Sequence, residues 1–168
     1  MKPDHFRTMA RYNQWANERL YAACAKLHEN DLFLQRPSFF GSIHATLNHI
    51  LVADRIWMGR LTGHPAKIAR LDEILYGDFA GLRVARTAED AQIVAYCDAL
   101  DEPTANTTLR YTNMAGESLA TPVRWVLTHF FNHQTHHRGQ THGLLSQTGV
   151  SPPPLDLLYY LREVPPAA

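Results

Sequence analysis

The chain has 168 residues, 45% of them hydrophobic, enough for a single domain over residues 1–168 with a sizeable core. Lys+Arg and Asp+Glu balance at 16 each, and no basic run exceeds two residues, which removes the broad positive surface of a nucleic-acid binder. No apolar run reaches the length of a membrane span, the N-terminus lacks an apolar signal core, and Cys24 and Cys97 lack a CxxC partner; the expectation is a cytoplasmic protein with buried, reduced thiols and no nucleic-acid or membrane partner.

Phe6, Ala10, Asn13, Ala16, Asn17, Leu20, Cys24 and Leu27 fall on one helical stripe. Pro3-Asp4 is a start signal for this first helix and Glu29-Asn30-Asp31 a stop. Asn13 and Asn17 interrupt the stripe, and hydrogen bonds to neighbouring helices are their expected role. A loop through Pro37 and Gly41 leads to Ser42, an N-cap for a second helix that ends at Gly63. That helix is apolar on two sides, as expected of a central helix or one facing a second subunit.

A third helix is expected from Asp78, burying Phe79, Leu82, Ile93, Cys97 and Leu100, with a possible break at the capping-box pair Thr87 and Asp90. Residues 103–120 alternate around Asn113-Met-Ala-Gly116, which predicts a short β-hairpin or an extended excursion. Thr121-Pro122 predicts the N-cap and first turn of a fourth long helix running to about Gln147. A last short helix over Leu155–Leu161 covers one end. Four long amphipathic helices predict an all-α four-helix bundle.

Ten histidines are the unusual feature of the composition. His133 and His137 lie one turn apart on the apolar stripe of the fourth helix, with Val126, Phe130 and Leu144. A buried imidazole needs hydrogen-bond partners or a metal. His49 is the best third ligand, being mid-helix between the small residues Ala45 and Ala53. His44 lies about 140° away on the same helix, so one of the two is expected at the surface or an interface. His136 is expected beside the site or at the surface, and His129 at the mouth of a cavity. His5, His28, His64 and His142 read as solvated or capping residues, and Trp57 and Trp125 as core packing.

Gln134, Thr135 and His136 separate the histidine pair, so the glutamate base of a His-Glu-x-x-His site is missing. Three neutral imidazoles leave a divalent ion its full charge, and zinc, nickel, iron, manganese or copper all accept such ligands. Arg60, on the His49 face about three turns on, could attract an anionic substrate or simply suit a helix C-terminus. No residue stands out as a general base.

Three stretches carry a resemblance that extends over essentially the whole chain: Tyr12-Asn-Gln-Trp15-Ala-Asn17-Glu-Arg-Leu20, Leu47-Asn-His49-Ile-Leu-Val-Ala-Asp54-Arg-Ile-Trp57, and His129-Phe-Phe-Asn-His133-Gln-Thr-His136-His137-Arg138-Gly139-Gln140. With them the chain resembles the DinB (damage-inducible protein B) family, related to the YfiT-like metal-dependent enzymes. The resemblance implies a bundle in up-down-down-up order, often a homodimer, and a metal held by a histidine triad that maps onto His49, His133 and His137. It also implies a small-molecule substrate and a low-molecular-weight thiol such as bacillithiol, mycothiol or glutathione as cosubstrate.

Two functional expectations follow. One is a metal-dependent transferase or hydrolase in which the ion activates a thiol or water. The alternative is a non-catalytic metal-binding or stress-response protein. A scaffold with vestigial histidines would bind no metal at all. Imidazole ligation also predicts metal loss below a pH of roughly 6.

Overall fold

The structure is a computed structural model that describes residues 2–165. Proline at the first helical position starts α1 (Pro3–Cys24), which stops short of the expected signal at 29–31. Those acidic residues instead open a separate short helix, α2 (Glu29–Phe33), with His28 at its N-cap. α3 (Ile43–Thr62) begins as expected: the Ser42 hydroxyl accepts from the Ala45 amide at 3.1 Å. It ends on Gly63, whose φ of 75° is the left-handed cap glycine supplies most cheaply.

Asp78 caps α4 (Phe79–Ala99), accepting from the Gly81 amide at 2.7 Å. The helix does not break at residue 87. Thr87 donates back to the Arg83 carbonyl, and Asp90 is taken by side chains of α1 and α4, so neither acts as a cap. The brief α5 (Glu102–Asn106) follows, a turn that sequence reading did not anticipate.

The hairpin is present as β1 (Thr108–Thr112) paired antiparallel with β2 (Ser118–Pro122). Its turn is held by Asn113, whose side-chain oxygen accepts from the amides of Ala115 and Glu117, and by Gly116 at φ 85°. Thr121 and Pro122 finish β2, and Pro122, not Thr121, takes the N-cap position of the next helix, which has no side-chain cap. The Val123 amide closes the hairpin base on the Thr107 carbonyl, and α6 (Val123–Leu145) starts there. After the proline-rich connector comes α7 (Leu157–Glu163).

The four long helices form a ring of neighbours: α1 beside α4, α4 beside α3, α3 beside α6, and α6 beside α1. Side-chain pairs give their directions. Arg11 meets Asp98 while Tyr21 stacks on Phe79, so α1 and α4 are antiparallel. His49 meets His137 while Trp57 meets His129, so α3 and α6 are antiparallel. Asn48 reaches Tyr76, just ahead of α4, and Arg55 reaches Glu89, so α3 and α4 are parallel. The order is therefore up, down, down, up.

α3 is buried on nearly every side, including Leu47, Leu51, Ala53, Ile56 and Met58. Its two-sided apolar pattern is thus satisfied within the chain, by α2, α4, α6 and the hairpin. Among the described residues no helix is long and apolar enough to cross a membrane.

One polar ring ties all four long helices together. Asp54 of α3 accepts from Arg86 of α4 at 2.5 Å and from Gln134 of α6. Arg86 also pairs with Asp90 at 3.0 Å. Asn13 and Asn17 of α1 donate to Asp90 and accept from Arg138 of α6, which in turn donates to Gln134. Two carboxylates and two guanidiniums balance in charge, and each of these residues is at most 2% exposed. Asn13 and Asn17 hold the bundle together, as their break in the apolar stripe predicts.

Candidate metal centre

α3 and α6 run past each other so that His49, His133 and His137 face one point. The His49 Nε2 lies 3.3 Å from the His133 Nε2 and 3.2 Å from the His137 Nε2. One ligating nitrogen from each ring falls within 4.8 Å of the others. Imidazole nitrogens about 2.0–2.1 Å from a tetrahedral ion stand roughly 3.3–3.4 Å apart, so the spacing suits a small divalent cation.

The outer nitrogens decide which inner ones are free. A carbonyl can only accept, so the His49 Nδ1–H donates to the Leu71 carbonyl at 2.7 Å. The His137 Nδ1–H donates to the Gln140 side-chain oxygen at 2.8 Å. In the neutral rings this leaves two bare Nε2 lone pairs facing each other across 3.2 Å. Two such lone pairs repel unless a cation lies between them.

Protons are poorly suited to that place. Burial, reinforced by His137 and His49, pulls the His133 imidazole down to about 3. Burial pulls His137 down to about 4, against the Gln140 hydrogen bond. His49 is lowered by burial as well, with the Leu71 carbonyl opposing. His133 and His137 therefore stay neutral, the form that coordinates a metal, well below the ordinary histidine range, and His49 is shifted in the same direction.

Phe40, from the loop before α3, covers one side. Its ring stacks on His49 at 4.0 Å and meets His137 edge-on at 5.6 Å. On the other side a cavity of about 450 Å³ opens from His49 and His133 toward the hairpin. His129 sits at its border, edge-on to Trp57, as its place on the wheel predicts.

His136 is exposed; its ring meets His137 edge-on, and its Nε2 accepts from the Gln140 amide. His5, His28 and His64 are exposed, and His142 donates to the Pro153 carbonyl. His44 departs from expectation: it is only 3% exposed, because Phe33 of the unforeseen helix α2 covers it at 4.3 Å. Trp125 also departs, being 54% exposed, whereas Trp57 packs against the core as expected and also lines the cavity.

The sequence model of the DinB family matches residues 1–166. The chain belongs to the DinB family. This DinB chain is 25% identical over 156 residues to Protein DinB of Bacillus subtilis strain 168, a match covering 89% of this chain and 90% of that protein. A DinB-like protein from Bacillus cereus ATCC 10987, known from its crystal structure, superposes with a TM-score of 0.63 at 18% identity, over 83% of this chain and 90% of that one. The second likeness is one of fold.

Some groups around the triad of this DinB chain escaped the sequence reading. Phe40 lies in a loop without periodicity, and Leu71 contributes only its backbone. Gln140 could have been found, since it follows His137 by three residues and lies on the same helix face.

Proposed function

We propose that this DinB-family chain is a metal-dependent enzyme whose divalent ion is held by His49, His133 and His137. The observation that carries the reading is the pair of facing Nε2 lone pairs on His49 and His137, with His133 completing the set. A divalent ion on three neutral ligands supplies a Lewis acid that lowers the pKa of a coordinated thiol or water. The reaction class is a thiol-dependent transfer or a hydrolysis on a small molecule, with a low-molecular-weight thiol as the cosubstrate of the transfer. The donor set accepts zinc, nickel, iron or manganese.

The chain's own residues prepare the site. Leu71 and Gln140 hold the protons of His49 and His137 on their outer nitrogens. Phe40 shields one side from water, and the cavity beside His133 leaves room for a reactant. That cavity favours catalysis over a closed storage or sensing site, which would need no space beside the ion. A cytoplasmic homodimer belongs to the same proposal.

Elemental analysis of untagged protein, wild type against His49→Ala, tests metal ligation: about one divalent ion per wild-type chain is expected, lost in the variant. Turnover of electrophiles with several small thiols, and of hydrolysable esters and amides, tests catalysis. A metal-loaded protein that turns over none of them above the level of the triad variants would end the enzyme reading.

A further inference from the structure

The cavity beside the triad is one half of a longer cleft. A second compartment of about 410 Å³ adjoins it, bounded by Gly59, Pro65 and Arg110. Ile56, Arg60, Tyr111 and Met114 border both compartments. Arg60 therefore stands at the waist of the cleft. It lies about 16 Å from His49 along the α3 axis, at 1.5 Å per residue.

Its guanidinium is held in place but not neutralised. It sits over the Trp57 ring at 4.7 Å and the Tyr111 ring at 4.9 Å. One nitrogen donates to the Thr112 carbonyl at 2.9 Å, which leaves most of its five N–H groups free for a ligand. Among the described residues it has no carboxylate partner, and neither compartment is lined by an aspartate or glutamate. Arg110 adds a second positive group to the far compartment. A cation suited only to the helix dipole would need no such aromatic seat facing a cavity. Partial burial of an unpaired guanidinium disfavours its charge, and burial accordingly lowers its pKa. An anion arriving there would offset that cost. A single planar guanidinium in apolar surroundings suits a carboxylate, which it can grip with two parallel hydrogen bonds.

We propose that Arg60 is the specificity-determining residue of the cleft and selects small organic carboxylates, whose apolar body lies along Trp57 and Met114 toward His133. As a statement about substrate it rests on the metal-enzyme reading; as a statement about binding it does not, because Arg60 and the aromatic seat are independent of the ion.

The test is calorimetric titration of chelator-treated protein with phenylbutyrate and with phenylbutanol, which shares its apolar body without the charge. The acid should bind about tenfold or more tightly than the alcohol, the scale of one charge-assisted hydrogen-bonded contact. Arg60→Met should erase that preference, and Arg60→Lys should keep part of it. Equal binding of acid and alcohol to the wild type, no binding of either, or an undiminished preference in Arg60→Met would each overturn the proposal. The wild-type comparison decides even if Arg60→Met loosens the hairpin. The titration is repeated with zinc ion present. A preference that arises only then and survives Arg60→Met places the carboxylate elsewhere and overturns the proposal. Failure of the metal reading shows separately, as a chain that takes up no zinc yet still prefers the acid.

Discussion

Two polar clusters lie buried in this bundle, less than two turns apart along α3, and they are built on opposite principles. The ring of Asp54, Arg86, Asp90, Asn13, Asn17, Gln134 and Arg138 pairs charge with charge and donor with acceptor. Among the described residues its loose ends are the Arg86 Nε and the nearby Tyr21 hydroxyl, which have no hydrogen-bond partner. The triad of His49, His133 and His137 is different at its centre: His49 and His137 turn their protons outward and face each other with bare lone pairs. A closed cluster holds a fold together, whereas an open one is built for something that arrives later. Proximity makes the contrast sharp, because Gln134 of the ring is the neighbour in sequence of His133.

The largest expected effect is on the closed cluster. Asp54→Ala removes the acceptor of both Arg86 and Gln134 and leaves a buried cation short of a partner. Breaking a buried pair in this way costs about 3–5 kcal/mol. Urea denaturation of wild type and variant measures it. A loss below about 1 kcal/mol would mean that the ring does not hold the helices, since surface changes lie within that range.

Next in size is the open cluster, read through metal and not through stability. His133→Ala should weaken zinc binding about a hundredfold or more, roughly 2.7 kcal/mol, while the metal-free protein unfolds near the wild-type denaturant concentration. Competition with a chromophoric chelator gives the affinity. Equal affinity in the variant would remove the distinction between the two clusters. Gln140→Ala should have a smaller effect, about tenfold on zinc affinity, because it frees the His137 ring without removing a ligand. An unchanged affinity there would show that the Gln140 bond does not orient the ring.

The same contrast explains what could be read in advance. The helical stripes, the cap residues Ser42 and Asp78 and the turn at Asn113 are local signals, and the elements they predict formed. The histidine triad was also readable, because periodicity puts His133 and His137 on one face and small neighbours mark the side of His49. What could not be read depends on contacts between distant segments. Phe40 reaches His49 and His137 from a loop, and Leu71 offers a carbonyl from an irregular connection. His44 looked like a surface residue because the helix that covers it, α2, spans only five residues and has no periodic pattern of its own. Thr121-Pro122 carried a valid helix-start signal, yet strand pairing of Pro122 with Thr108 took the dipeptide into the hairpin. The polar ring needed residues from all four long helices, so only its Asn13 and Asn17 edge showed as a break in pattern.

The remaining expected effect is the acid response, where the triad makes an unusual demand. His133 and His137 are lowered in the folded chain to about 3 and about 4, chiefly by burial and, for His133, by mutual repulsion. In the unfolded chain they return to the ordinary value near 6.5. Between these limits the unfolded state binds more protons, so stability rises with pH. The histidine contribution is fully present above about 6.5 and is lost as pH falls toward the folded values. Burial raises the Asp54 carboxyl to about 7, and by the same linkage it pulls stability the opposite way in this range, so the histidine share is read as a difference: from pH 7 to 5 the melting temperature of metal-free wild type should drop relative to that of His133→Ala. The same depressed values move the expected loss of metal. Protons compete for these nitrogens less effectively than for free imidazole, so zinc should be retained below the pH of roughly 6 expected from unperturbed histidine. A zinc affinity that collapses at pH 6 would show that the imidazoles titrate as though solvated, and that the facing lone pairs are not held together in the apo protein.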